Sequence, residues 1–200
     1  MDLKRLLIIG AVVVIAIAAW PAWWFLSPLF IDDVVDEDFP MSFNAVLPAG
    51  MTQQEAEDEM VEAAEVDAPV DEEMPEPMAS PAAPVQVKVG SFTDADRFHK
   101  GSGSATIYRG SDGSHLLRFE DFSVTNGPAL KVILSPHPNA RNSAEVHLEG
   151  YVHLGDLKGN IGNQNYELPS DLDVSTIGSV IIYCEPFSVV FSVAPLRDAG

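Results

Sequence analysis

The chain has 200 residues, of which 46% are hydrophobic, and its formal net charge of -19 is distributed very unevenly. Residues 31–84 contain 16 acidic side chains and no Lys or Arg, whereas residues 85–196 contain twelve acidic and eight basic ones. The lack of a basic stripe argues against a nucleic-acid partner, and the single cysteine excludes an intrachain disulfide, a Cys-rich zinc site and covalent c-type haem attachment.

A membrane anchor is predicted over residues 1–30. Lys4 and Arg5 precede an apolar run that begins at Leu6 and continues past Pro21 to Phe30. A helix over residues 6–26 would be about 31 Å long, enough for a bilayer core. Basic residues before the run and five acids after it predict a single-pass cell-membrane protein whose residues 6–30 contact the lipid bilayer. Its N-terminus is then cytoplasmic and the remainder is extracytoplasmic.

A cleaved signal peptide is the alternative interpretation of this segment. Residues 16–18, Ala-Ile-Ala, resemble a small-x-small cleavage site after a short apolar core. The retained anchor is favoured because the apolar segment continues well beyond that site. Either interpretation makes the rest of the chain extracytoplasmic.

Residues 31–84 predict an acidic stalk. Helix-forming residues indicate a short helix over 53–66, with Thr52 as its N-cap. Residues 68–84 carry five prolines and four acids, the composition of a semi-extended linker that spans roughly 50 Å.

Residues 85–200 predict an extracytoplasmic all-β domain. Short strand-forming segments alternate with turn signals, which is typical of an antiparallel β-sandwich or a barrel-like domain; they lie at 85–92, 104–109, 115–120, 130–135, 145–155 and 178–196. Gly101 to Ser104 is expected to form a turn and not a phosphate loop, because the P-loop Lys-Ser/Thr ending is missing. His147 and His153, on one face of the predicted strand 145–155, would be about 20 Å apart, too far for one metal ion.

The last two strands, residues 180–184 and 187–193, are expected to form a hairpin around Glu185-Pro186. This pairs Cys184 with Phe187, Ile182 with Val189 and Val180 with Phe191, and it turns Cys184 towards the core. On side-chain chemistry alone, Cys184 is either a small buried hydrophobe or a redox-active or ligating thiolate at the rim of the sheet, and the buried role is favoured.

Residues 157–166, LKGNIGNQNY, predict a polar loop. The side-chain amides of this loop are candidate ligand-binding groups. They belong to Asn160, Asn163, Gln164 and Asn165. The alternative is a turn whose polar groups bind one another, because Gly and Asn suit left-handed backbone conformations.

Four stretches together resemble the DM-thirteen domain family: HKGSGSATIY (99–108), LRFEDFSVTNGPAL (117–130), LKGNIGNQNYELP (157–169) and SVIIYCEPFSVVFSVAPL (179–196). The resemblance covers nearly all of residues 85–196, but neither the anchor nor the stalk. It implies a β-domain for electron transfer with one recurrent cysteine, proposed to act as a free thiol or to hold a prosthetic group such as haem. Carried over, that cysteine is Cys184.

The expected function is therefore that of a membrane-anchored electron-transfer component, not a self-contained catalyst, that works through Cys184 with a redox partner protein. The alternative is a non-enzymatic module that uses residues 157–166 to bind an extracellular polymer, the extracellular matrix or a partner protein.

Overall fold

The structure is a computed structural model that describes residues 31–40 and 84–200, together with Lys4, Arg5, Ile17, Ala19, Trp20, Trp23 and Phe43. No helix in this described part is long and apolar enough to cross a membrane. The predicted anchor lies almost entirely outside the described residues, and so do the predicted helix 53–66 and nearly all of the predicted linker 68–84.

Residues 84–200 form nine β-strands, one short α-helix and one 3-10 turn. The strands are β1 (Val85–Ser91), β2 (Thr93–Asp94), β3 (Gly101–Arg109), β4 (His115–Val124), β5 (Leu130–Ser135), β6 (Val152–Asp156), β7 (Ile161–Glu167), β8 (Ser179–Cys184) and β9 (Val189–Asp198). The helix α1 covers Ser143–Leu148, and the 3-10 turn covers Val174–Thr176. The strands predicted at 85–92, 104–109, 115–120 and 130–135 are confirmed, with β3 and β4 longer than expected.

The strands form a single antiparallel sheet in the order β6-β5-β8-β9-β1-β3-β4-β7, with β2 paired to β9. The sheet curves into a nearly closed barrel whose two edge strands are β6 and β7. The expected all-β, barrel-like class is therefore confirmed. Each strand pairs antiparallel with its neighbours, so the strand ends define two opposite ends of the barrel.

The core has two parts, one on each side of β8. Val180, Ile182 and Cys184 belong to the interior cluster, where the rings of the phenylalanines at 92, 119 and 122 pack against one another. Ile181 and Tyr183 belong to a second cluster on the outer face, which α1 covers with Val146. All six residues of β8 are buried. This confirms the prediction of a strand that is buried on both faces.

The predicted strand over 145–155 is wrong in its first half, because α1 occupies Ser143–Leu148. Asn142 caps this helix with its side-chain oxygen 3.1 Å from the backbone nitrogen of Glu145. The Glu145 carboxylate accepts in turn from the Arg141 backbone N–H at 2.7 Å. These local polar contacts satisfy the first backbone donors of the helix, which outweighs the alternating pattern. His147 and His153 consequently lie on different elements.

The predicted register of the last hairpin is also wrong. Cys184 pairs with Val189, Ile182 with Ser192 and Val180 with Ala194, because the turn uses the four residues 185–188 where a two-residue turn was expected. Phe187 is therefore 61% exposed and not part of a strand. The inward orientation of Cys184 is confirmed, since it has no exposed surface.

Two segments expected to be turns or loops belong to strands. Gly101 to Ser104 begins β3, and residues 161–166 belong to β7. The glycines that suggested turns lie at irregular positions of these strands, with φ of 102° at Gly103 and 106° at Gly162. Glycine suits such positions because the φ angle there is positive and neighbouring backbone segments approach closely.

Replacing Leu134 by Ala should lower the free energy of unfolding by about 2–5 kcal/mol, because it empties a fully buried site next to β8. Leu148→Ala is the matched control, since this leucine is 73% exposed, and a change within about 0.5 kcal/mol is expected. Urea unfolding of both variants measures the difference. Equal losses would contradict the placement of the core.

Candidate functional site

The thiol of Cys184 lies at the end of β8 with no exposed surface. Its Sγ donates a hydrogen bond to the carbonyl oxygen of Pro128 at 3.1 Å. Burial raises the pKa of the thiol above its ordinary value, and a hydrogen bond from the Phe187 backbone N–H opposes this only in part. The thiol is therefore protonated at neutral pH, and the reactive thiolate is disfavoured as long as the site stays closed.

Two loops cover this thiol, and each contains a residue with strained backbone. Ala129, next to Pro128, has a φ of 50°, and Ser188, in the turn after Cys184, has a φ of 54°. Among the described non-glycine residues, Asp121 alone shares this left-handed conformation. Such conformations cost free energy and concentrate at binding sites and switch regions. Opening of either covering loop would relieve this backbone strain.

Close packing keeps the first of these loops in place. A Cβ atom on Gly127 would lie 2.5 Å from the Cζ atom of Phe191, so only glycine fits without a shift of that ring. Phe191 in turn stacks on the imidazole of His99, with ring centroids 4.3 Å apart. The covering loop therefore rests on an aromatic pair that belongs to two other parts of the chain.

We call the end of the barrel that carries these loops the thiol end; it comprises residues 95–100, 125–129, 157–160 and 185–188. Beside it, Lys131 forms a salt bridge with Asp156, and the Nε2 atom of His153 lies 3.4 Å from the Oε1 atom of Glu185. Among the described residues, cavities of about 490 and 360 Å³ open there. Both are lined by Asp32, Asn126 and Asn160, and Cys184 lines neither.

This arrangement does not fit a haem ligated by Cys184. Iron ligation requires the thiolate and access to its sulfur. The Cys184 thiol instead donates its hydrogen bond to the Pro128 carbonyl oxygen, and burial favours the protonated form. Cys184 lines neither of the two cavities described above. The geometry suits a free thiol.

The amides of residues 157–166 hold a different part of the chain, the acidic segment 31–39. The Asn160 side chain donates to an Asp32 carboxylate oxygen at 2.9 Å and accepts from the Asp33 backbone N–H at 2.6 Å. The Asn163 amide donates to Asp36 at 2.7 Å. The Asn165 amide donates to the backbone carbonyl oxygen of residue 38 at 2.7 Å. Three of the four predicted amides therefore face this segment.

Backbone hydrogen bonds align segment 31–39 parallel to β7. The N–H groups of Val35 and Glu37 donate to the carbonyl oxygens of Ile161 and Asn163, each at 2.9 Å. Val34 forms a parallel bridge with Ile161. The segment thus extends along the free edge of β7 like an additional strand with few backbone hydrogen bonds, and the first nine residues of the predicted stalk lie against the domain.

Charge reinforces the docking at Glu37. The Lys158 ammonium lies 2.7 Å from one carboxylate oxygen of Glu37, and the Asn165 backbone N–H donates to the other at 2.7 Å. The buried Arg118 guanidinium donates to the Glu37 carbonyl oxygen at 2.9 Å. Sequence reasoning did not associate these basic residues with the acidic segment. The available signal was the run of acids at 32–38, which matches the clustered donors of residues 158–165.

Gln164, the fourth predicted amide, points into the barrel. Its Nε2 donates to the Gly159 carbonyl oxygen at 2.8 Å, and its Oε1 accepts from the Tyr166 hydroxyl at 2.7 Å. Burial raises the pKa of the Tyr166 hydroxyl well above its ordinary value. This buried pair supports β7 from the interior of the barrel.

Comparison with known proteins identifies one relationship. The model of a family described as Electron transfer DM13 matches residues 91–196, which include Cys184 and both covering loops but not segment 31–39. No curated protein and no solved structure matches the chain.

The free energy of unfolding should fall as the pH rises above about 9, the ordinary pKa of a thiol. The folded pKa of Cys184 exceeds the unfolded one, so its contribution is complete below the unfolded value and is lost as the pH rises through the folded value. Tyr166 acts in the same direction at higher pH. Urea unfolding between pH 7 and 10 should show a shallower decline in Cys184→Ala, and an unchanged slope would contradict the buried, protonated thiol.

Proposed function

The chain belongs to the Electron transfer DM13 family, and from this premise we propose that it is a membrane-anchored, extracytoplasmic electron-transfer component that acts through Cys184. The observation that carries the role of Cys184 is the position of the only thiol in the sequence, buried beneath two covering loops with strained backbone. A purely structural cysteine needs burial alone. Strain on both covering loops supports a thiol that becomes accessible when they open.

A redox reaction suited to a lone thiol is exchange with a disulfide of a partner protein. After the loops open and the thiol loses its proton to solvent, the Cys184 sulfur attacks one sulfur of the partner disulfide. A new S–S bond forms, the old one breaks, and the second partner sulfur leaves as a thiolate. Cys184 is oxidised and that sulfur is reduced. Because burial raises the pKa of the Cys184 thiol, the opening of the loops and the partner must supply the reactivity.

The anchoring part of the proposal rests on residues 6–30 and their flanking charges. Further support comes from Ile17, Trp20 and Trp23, which the folded domain leaves exposed. Exposed Trp side chains at the end of an apolar run are typical of membrane interfaces.

A second candidate function is binding without redox chemistry. The observation in its favour is that Asn160, Asn163 and Asn165 already hold an extended peptide along β7. A partner peptide or an extracellular polymer would have to displace segment 31–39 to use the same groups. Partner capture that survives in Cys184→Ser, but is lost in the double variant Asn163→Ala, Asn165→Ala, would favour this function.

Thiol reactivity tests the redox role in the full chain, purified in detergent. An aromatic disulfide should react slowly with the native protein, rapidly with the unfolded protein and not at all with Cys184→Ser. Gly127→Ala pushes against Phe191 and should loosen the covering loop, so native reactivity should rise several-fold. Ser111→Ala, an exposed change in the distant β3–β4 turn, is the control.

Two results would contradict the proposed chemistry. One is a Gly127→Ala protein that is folded, as judged by its thermal unfolding, and whose thiol is no more reactive than that of the parent. The other is a visible absorption band that disappears in Cys184→Ser, because it would identify a bound chromophore in place of a free thiol.

Protease treatment of intact cells tests the orientation. We expect cleavage of an accessible site C-terminal to the anchor, which should shorten the fragment that carries a C-terminal epitope. Permeabilised cells provide the control for cleavage itself. Protection of the epitope-bearing chain in intact cells, with cleavage after permeabilisation, would place the domain in the cytoplasm.

A further inference from the structure

We propose that the thiol end of the barrel faces the bilayer surface, with Phe98 and Phe187 in the lipid–water interface and segment 31–39 holding the domain in this orientation. The inference rests on the membrane anchoring proposed above. It identifies the occupant of this surface as a lipid bilayer of low net charge.

The docked segment begins at the thiol end. The Asn126 side chain donates to the Ile31 carbonyl oxygen at 3.2 Å and to an Asp32 carboxylate oxygen at 3.0 Å. Asn126 lies two residues before Pro128, whose carbonyl oxygen binds the Cys184 thiol. The predicted membrane segment ends at residue 30, and one residue of extended chain spans only about 3.5 Å. The exit from the bilayer and the cover of Cys184 are therefore neighbours.

The other end of segment 31–39 lies at the opposite end of the barrel. Phe39 stacks edge-on against Tyr108 near the end of β3, with ring centroids 5.0 Å apart. The edge of Phe43 lies close to Gly110, at the turn that follows β3. β1 begins at this same end, since Val85 is paired with Arg109.

This path determines which end of the domain is near the membrane. Segment 31–39 traverses the barrel from the thiol end to the far end, and the connection from there to β1 both starts and finishes at the far end. The long acidic connection consequently does not separate the thiol end from the anchor. With the segment docked, the thiol end is the membrane-proximal one.

Exposed aromatic side chains give the thiol end an affinity for the interface. Phe98 is 64% exposed and Phe187 is 61% exposed. The Phe98 carbonyl oxygen accepts from the Thr125 hydroxyl at 3.4 Å. Phe187 lies in the turn directly after Cys184, whose thiol donates to Pro128. Exposed aromatic rings with polar surroundings are the side chains that favour membrane interfaces.

The charges at this end exclude attraction to anionic lipids as the source of affinity. Lys100 is paired with Asp94, Lys131 with Asp156 and Lys158 with Glu37. Among the remaining charged groups, Arg97 covers the ring of Phe98 at 4.4 Å, whereas the acids outnumber it: Asp32, Asp33, Asp96 and Glu185. Two aromatic rings bind a membrane only weakly, but the anchor supplies a high effective concentration of lipid.

Depth-dependent fluorescence quenching tests the orientation in the full chain, reconstituted into phosphatidylcholine vesicles. An environment-sensitive maleimide dye is attached at Phe98→Cys, Phe187→Cys or, as control, Ser111→Cys at the far end. The buried native thiol should remain unlabelled, and the parent protein checks this. Nitroxide on the lipid headgroups should quench the dyes at positions 98 and 187 several-fold more than the dye at position 111. Equal quenching at the three positions would overturn the proposal.

A second pair of variants tests the role of the docked segment. A side chain on Gly159 would collide with Asp33 and Val35, at 2.5 and 2.8 Å from its Cβ, so Gly159→Val should release segment 31–39. In this variant, quenching at position 187 should fall, although the protein should still co-float with the vesicles in a density gradient. Val34→Ala is the control and should leave both the quenching and the co-flotation unchanged. Unchanged quenching in Gly159→Val would overturn the orienting role. If the parent protein does not co-float with the vesicles, the membrane anchoring on which this inference rests is itself wrong.

Discussion

The burial of β8 on both of its faces is the constraint on which the rest of the domain depends. A strand with six buried residues needs apolar partners on each side. The barrel interior supplies one set, and α1 with its neighbours supplies the other. Because Cys184 ends this strand and faces the interior, its thiol is desolvated and protonated as a consequence of the same packing. The chemistry of the site follows from the strand order of the sheet.

The incomplete closure of the barrel explains why segment 31–39 docks on β7. A nearly closed sheet still leaves one side of β7 without a strand partner, and a free edge exposes backbone donors and acceptors that promote association. Segment 31–39 satisfies several of them, and the acids of the segment meet the amides, Lys158 and Arg118 that surround β7. The sequence suggested that the acidic residues 31–84 form a solvated spacer. The acids of residues 31–39 are instead bound by polar and basic groups of the folded domain.

These two features meet at the thiol end. Asn126 binds the start of the docked segment, and two residues later the Pro128 carbonyl oxygen accepts a hydrogen bond from the Cys184 thiol. Motion of the 125–129 loop would therefore affect both the edge contact and the cover of the thiol. The left-handed conformations of Ala129 and Ser188 lower the cost of opening relative to an unstrained cover.

The sequence by itself determined the all-β class, most strands, the burial of Cys184 and the family, because β-branched alternation and local motifs are properties of short stretches. It failed at α1, where the Asn142 cap outweighed an alternating pattern, and at the last hairpin, where a four-residue turn shifted the register. Only the tertiary structure decided that Asn160, Asn163 and Asn165 hold segment 31–39 and that Gln164 turns inward. The three asparagine contacts join residues more than 120 positions apart, and nothing in a local pattern specifies which distant donors an acidic segment will meet.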